Sequence, residues 1–323
     1  MKLITEVSLP EYPFGVDHRA PILFTGSCFT ENIGRLMERS LFPICINPFG
    51  TTYNPVSVMK GLDALIHKEA YLAEDLDQHN GKWFSFDHYT GFSSPDRQKC
   101  LERINGTFIH AKQVLREARV LVITWGTSWV YRYNPSGKVV CNCHKIPASQ
   151  FTRSRLTTKE IFKAYETFLP SLFEHNPGLK VLLTVSPVRH WKDGARGNQL
   201  SKASLLLTTE ALGELFPDRV FYFPSYEIVM DELRDYRFYA ADMLHTNRQA
   251  TDFIWEKFSH ALISDESRKI IGELEPLLKI MEHHPQDPEG EAHQQILRRQ
   301  EEKVAELKKK YPFLPWIKLE QNK

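Results

Sequence analysis

Cysteine is scarce and odd in number, five in 323 residues and widely scattered, which does not suit a disulfide framework. No stretch approaches the roughly 18 uninterrupted apolar residues of a membrane span. The opening MKLITEVSLPEYPFG has no apolar core before Pro10, Glu11 and Pro13, so it does not read as a signal peptide. A basic excess is missing too. The 41 Lys+Arg face 40 Asp+Glu, which argues against binding nucleic acid through bulk charge. There is no G-x-S-x-G elbow and no internal repeat. What remains, 42% hydrophobic and 25% charged residues, is ordinary for a soluble globular chain. The expectation is a cytoplasmic protein with neither a nucleic-acid nor a membrane partner.

Apolar runs that empty into small or polar residues mark the strands. They are 21–25 before Gly26-Ser27, 120–124 before Trp125-Gly126-Thr127-Ser128, 180–185 before Ser186-Pro187, and 220–223 before Pro224-Ser225. Continuous runs without alternation suit strands buried on both faces of a parallel sheet. Helical spacing lies between and after them, at 30–40, 158–174, 200–216 and 247–263. Alternating strands and helices predict right-handed crossovers and a three-layer α/β/α sandwich, with sites beyond the C-terminal strand ends. Residues 41–119 fit this pattern poorly: a helix near 56–67 and an aromatic-rich piece from Trp83 to Phe92 read as a segment inserted beside the sheet edge. After 264 the composition shifts to an amphipathic helix at 266–281, a Pro/Gly break at 283–290 and a charged helix at 291–310. Aromatics at 311–316 then dock the tail. Domain limits of 1–264 and 265–323 follow.

Ser27, in Thr25-Gly26-Ser27-Cys28-Phe29, falls on a sharp strand-to-helix turn. A serine there can be a nucleophile with its N–H near a helix N-terminus, although Gly-Ser before a helix is also an N-cap pattern. Cys28 is a rival nucleophile, or a small buried hydrophobe. Asp242-Met243-Leu244-His245 places a carboxylate where it can accept from imidazole Nδ1–H and leave Nε2 free to take a proton. The same spacing also serves as a capped turn. Gly50 and Gly126-Thr127-Ser128 lie in loops where oxyanion donors would converge, or are turn and capping residues.

Taken together, GSCF after the first strand, the G-x-S of TWGTSWVYR, CHKIPASQF, TVSPVRH, YFPSYEI and DMLH resemble the GSCFA family, itself similar to the SGNH/GDSL hydrolases. The resemblance runs from about Leu3 to Ile263. It implies a flavodoxin-like sandwich with a mainly parallel sheet and an esterase-type site. Ser27 matches the nucleophile block, Gly50, Gly126 and Ser128 the oxyanion blocks, and Asp242 with His245 the acid–base block. Two positions depart from the superfamily: GSC stands where GDS is usual, and Ser128 where an asparagine donor is usual.

Cys141-Asn142-Cys143-His144 lacks a second half at zinc-like spacing and reads as structure or substrate wall. Asn47, His144, Arg189 and His190 are expected substrate contacts, Arg189 or His190 holding a carboxylate, sulfate or phosphate. The expected function is a serine hydrolase or acyltransferase acting on a small ester or an O-acylated sugar. Ser27 attacks, His245 moves the proton, and Asp242 orients His245. Backbone N–H groups of Ser27 and Gly50, with Gly126 and Ser128, hold the oxyanion. No cofactor or metal is called for. Two alternatives stay open: a non-catalytic domain binding a glycan or acylated ligand, and a metal-dependent hydrolase using Cys143, His144 and His190. Oligomeric state is unknown at this stage.

Overall fold

The computed structural model describes residues 4–281 and 291–316; the Pro/Gly break expected at 283–290 lies outside them. In chain order, β1 (Ile22–Gly26) leads into α1 (Cys28–Arg39), β2 (Ile44–Ile46) and α2 (Pro55–His67). A hairpin of β3 (Asp77–His79) and β4 (Lys82–Phe84) precedes α3 (Arg97–Glu117) and β5 (Val120–Trp125). Then come β6 (Trp129–Tyr133), β7 (Val139–Val140), β8 (Phe151–Arg155), α4 (Thr158–His175), β9 (Lys180–Val185) and α5 (Gly194–Leu215). The chain continues through β10 (Val220–Tyr222), α6 (Ser225–Glu227), α7 (Arg248–Leu262), α8 (Asp265–Met281) and α9 (Glu291–Lys310).

Five strands form the central sheet in the order β10-β9-β5-β1-β2, every pair parallel. Renumbered along the sheet this is 2-1-3-4-5, the flavodoxin-like order, whose crevice opens where the winding reverses between β1 and β5. Both strands are buried throughout, as their unbroken apolar runs require. One face packs on α2 to α5 through residues such as Leu23, Leu121, Phe108, Tyr165 and Leu205. The other packs on α1 and α7 through Phe24, Val122, Ile33 and Phe258. The α/β/α sandwich expected from the sequence is the observed architecture.

Residues 41–119 are not an insertion. They hold the sheet's edge strand β2 and the long crossover helix α3 that returns the chain to β5. The apolar stripe of α3, namely Cys100, Ile104, Phe108, Ala111 and Leu115, recurs every three or four residues and is buried. Among the described residues, only the β3–β4 hairpin and the antiparallel β7-β6-β8 sheet lie outside the main sheet. At the C-terminus, α8 and α9 enclose a separate cluster in which Leu274, Leu277, Leu307, Tyr311, Leu314 and Trp316 cover Leu41. Arg19 stacks on the Phe313 ring at 4.5 Å, so the closing aromatics dock on the body. Among the described residues, no helix is long and apolar enough to cross a membrane.

Candidate active site

Gly26 makes the turn out of β1. Its φ is +141°, and a Cβ there would lie 2.2 Å from Thr124 O, so only glycine fits between the two central strands. Asn47, just past β2, braces the turn by accepting from Gly26 N–H at 2.8 Å. Its own N–H donates to Phe24 O at 2.8 Å, and its Nδ2 is enclosed without a protein partner. Ser27 follows as the N-cap of α1 with an extended backbone. Its N–H continues the ladder by donating to Thr124 O at 3.1 Å. Its side chain is 1% exposed, and its Oγ meets no partner.

The half-buried side chain of this turn is that of Cys28. Being first in α1, Cys28 and Phe29 have N–H groups that the helix itself cannot satisfy, and both favour the thiolate form of Cys28. Burial pushes the thiol's pKa up, while those two amides and the nearby Lys202 pull it down.

Lys202 has no exposed surface. From α5, its Nζ donates to Gly126 O at 2.7 Å and Ser186 O at 2.5 Å, tying together the ends of β5 and β9. Burial lowers its pKa to about 7, with Cys28 opposing and Arg189 reinforcing the shift. The pattern did carry this residue: Lys202 shares a buried face with Asn198, Ser201, Leu205, Thr209 and Leu212. A lysine in the apolar stripe of an amphipathic helix is the available signal.

The expected oxyanion positions each have an intramolecular partner. Gly50, with φ +76°, donates its N–H to Asn47 O at 2.7 Å and leaves room for Tyr89, whose Cβ would be 2.4 Å from an added methyl group. Gly126 N–H donates to Tyr53 O at 2.8 Å. Ser128 is fully buried; its N–H and hydroxyl both go to Ser201 Oγ, at 2.8 and 3.1 Å. Cys28 and Phe29, in the first turn of α1, have N–H groups without an intrahelical acceptor.

Asp242 and His245 form a compact unit. Asp242 Oδ2 lies 2.6 Å from His245 Nδ1, and Oδ1 accepts from the N–H groups of Leu244 and His245 at 3.0 and 2.9 Å. Met243, at φ +59°, makes the tight turn between them. These bonds, the His245 amide first and its ring second, hold the Asp242 carboxyl down to about 2. Both side chains remain about half exposed, and among the described residues Nε2 meets no hydrogen-bond partner. A carboxylate-oriented imidazole with a free Nε2 is equipped to accept a proton.

His190 joins the two halves. Its Nε2 lies 3.2 Å from where a Gly126 Cβ would be, and its ring meets Tyr53 edge-on at 5.5 Å. Burial first, then Lys202, with a smaller push from His245, lowers its pKa to about 4. It is a neutral imidazole on which the charges of Lys202 and His245 both act. Arg189, beside it, donates to Met230 Sδ at 3.4 Å.

His144 belongs elsewhere. It is buried, stacked on Phe84 at 4.1 Å, and bonded through Nε2 to Ser85 O at 3.0 Å, so it packs the hairpin rather than lining the cleft. Among the described residues, no three His, Cys, Asp or Glu side chains are grouped to hold a metal. Cys143 and His144 therefore do not converge with His190.

Three histidines, two buried and one partly buried, have an acid-side consequence. Burial first depresses His88 to about 3, and His144 and His190 to about 4. The unfolded chain takes up these protons near pH 6.5 while the folded chain does not. Stability is therefore present above about pH 6.5 and lost as the pH falls toward 4, by up to ~1.4 kcal/mol per pH unit per histidine. Urea midpoints should fall from pH 7 to pH 5, and His88→Leu should flatten the slope. A midpoint independent of pH over this range would contradict the assignment.

The model of the GSCFA family matches residues 21–258, and the model of its C-terminal domain matches residues 274–320. No curated protein matches the chain. Solved structures that are similar include an acylhydrolase candidate from Bacteroides fragilis, at TM-score 0.39 and 9% identity over 80% of this chain and 91% of that one. A carbohydrate esterase family 3 protein from Talaromyces cellulolyticus gives 0.31 and 11%, over 80% and 98%. An acetyl xylan esterase from Butyrivibrio proteoclasticus gives 0.33 and 11%, over 84% and 66%. Likenesses this weak bear on neither substrate nor mechanism.

Proposed function

The chain belongs to the GSCFA family, and we propose that it cleaves or transfers the acyl group of a small ester or O-acylated sugar. The nucleophile in this reading is the Cys28 thiol. His245 Nε2 removes its proton, sulfur attacks the acyl carbon, and the alkoxide leaves with the proton returned by His245. Water, or an acceptor hydroxyl activated by the same imidazole, then releases the acyl group from sulfur. Asp242 fixes the tautomer of His245 and stabilises its charged form. The first-turn amides of Cys28 and Phe29, at the positive end of α1, serve as oxyanion donors.

The observation that carries this reading is the continuous polar set at the β1/β5 switch point. Lys202 Nζ bonds Gly126 O at 2.7 Å and His190 Nε2 lies 3.2 Å from the Gly126 Cβ position, so both meet at the end of β5; the charge of Lys202 favours the Cys28 thiolate, and those of Lys202 and His245 keep His190 neutral. Ser27, the nucleophile expected from the sequence, keeps its hydroxyl enclosed. It is retained as the residue against which Cys28 is tested.

Brief incubation with p-nitrophenyl acetate followed by peptide mass spectrometry tests the reading. An acetyl group on the peptide position of Cys28, suppressed in His245→Ala, is the expected result. Acetyl on Ser27 would transfer the nucleophile's role to that residue. The folded protein remaining unmodified, with no nitrophenol released, would overturn the acyl-transfer reading.

A further inference from the structure

We propose that the pocket beside the Asp242–His245 pair binds a saccharide bearing an anionic group, so that the substrate is an acylated acidic sugar; this rests on the acyl-transfer reading above. The pocket has a volume of about 460 Å³, and Asp242 contributes to its wall. Arg189 and Arg234 both line it. A guanidinium has five donors and cannot be discharged. Yet Arg189's hydrogen bond goes to a thioether sulfur, and neither arginine has a carboxylate partner among the described residues. Of the nearby acids, Asp235 is 3.6 Å from Arg237 and Asp242 is bonded to His245. Both acids line the pocket too, but they are engaged by Arg237 and His245, which leaves two guanidiniums without a salt-bridge partner among the described residues, and these suit a carboxylate, sulfate or phosphate.

Aromatic side chains complete the wall. Trp191 is 55% exposed and Tyr236 75% exposed, although both line a concavity and are large. Tyr239 stands beside Tyr236 at 5.9 Å between centroids. Rings of this size left open to solvent pack no core. In the same lining as the two guanidiniums, they offer flat faces for the C–H surface of a pyranose while the arginines take its charge. An anion lacking a ring would leave the aromatics unused, and a neutral sugar would leave the arginines unused.

Titration of the full chain with trigalacturonate, followed by tryptophan fluorescence and calorimetry, provides the test. Saturable binding is expected, with Trp191→Phe removing most of the fluorescence change. Arg189→Gln and Arg234→Gln should each weaken binding about tenfold or more. Neutral cellotriose should bind at least tenfold more weakly, and raising salt should erase the difference. Glucose 6-sulfate and glucose 6-phosphate tell which anion fits best, and saturation by any of the three charged sugars supports the site. Equal affinity for cellotriose and trigalacturonate, or no binding of any charged sugar by the folded chain, overturns it. A Cys28→Ala chain should bind as wild type does, so a failed pocket and failed acyl chemistry are told apart.

Discussion

Replacing Cys28 by alanine should lower kcat/KM for p-nitrophenyl ester cleavage by on the order of 10³-fold or more, the scale on which a lost nucleophile acts. Ser27→Ala should leave most of the activity. The two residues are adjacent, and the turn treats them differently. Ser27 is still extended, its N–H spent on Thr124 O, and its Oγ is enclosed without a partner. Removing an unbonded buried hydroxyl relieves a desolvation cost, so Ser27→Ala should be neutral or slightly stabilising. Cys28 is already helical and half-buried, and the first-turn amides and the charge of Lys202 favour its thiolate. Because burial raises the thiol's pKa, the thiolate is not stored; it must be generated by a base during reaction. His245→Ala should therefore match Cys28→Ala closely, and the double variant should be little worse than either. Cys28→Ser should keep measurable activity, since an alcohol deprotonated by the same imidazole can still attack. Circular dichroism establishes that each variant is folded. A silent Ser27→Ala beside an active Cys28→Ala would reverse the assignment.

This distinction shows where sequence stops being legible. The strands β1, β5 and β9 announce themselves because strands buried on both faces are apolar without interruption. The Asp242–His245 pair was equally readable, since three residues on a turn set its geometry locally. β2 is only three residues long, too short for any period, so its sheet partner could not be read from it. The stripe of α3 was present but spread over a polar helix of 21 residues, and without β2 there was no crossover to assign it to. Whether Ser27 or Cys28 faces the cleft depends on where extended backbone becomes helix, a boundary that composition does not record. Lys202 reaches the site only through tertiary packing of α5 against β5 and β9. The oxyanion glycines failed to translate for a related reason: a glycine's type is visible in sequence, but the acceptor that takes its N–H is not.

Gly26→Ala should be the most damaging single methyl group in the molecule, destabilising it by at least about 3 kcal/mol through a disfavoured backbone conformation and overpacking. The added carbon would stand 2.2 Å from Thr124 O and 2.8 Å from Thr124 N, both main-chain atoms of the central strand. No rotamer change relieves such a contact; β1 and β5 must separate. Separation would strain the bonds that define the turn, Asn47 Oδ1 to Gly26 N–H at 2.8 Å and Ser27 N–H to Thr124 O at 3.1 Å. The direction of Cys28 depends on both. A shifted urea midpoint with reduced acyl labelling of the fraction still folded is the expected pair of results. Asn47→Ala separates the two effects, because it removes the brace without inserting an atom between the strands. It should cost about 1–3 kcal/mol for the buried amide left unpaired, and labelling should fall more steeply than stability. If Gly26→Ala folds with an unchanged midpoint, the close approach of β1 and β5 at the switch point is wrong, and the positioning of Cys28 falls with it.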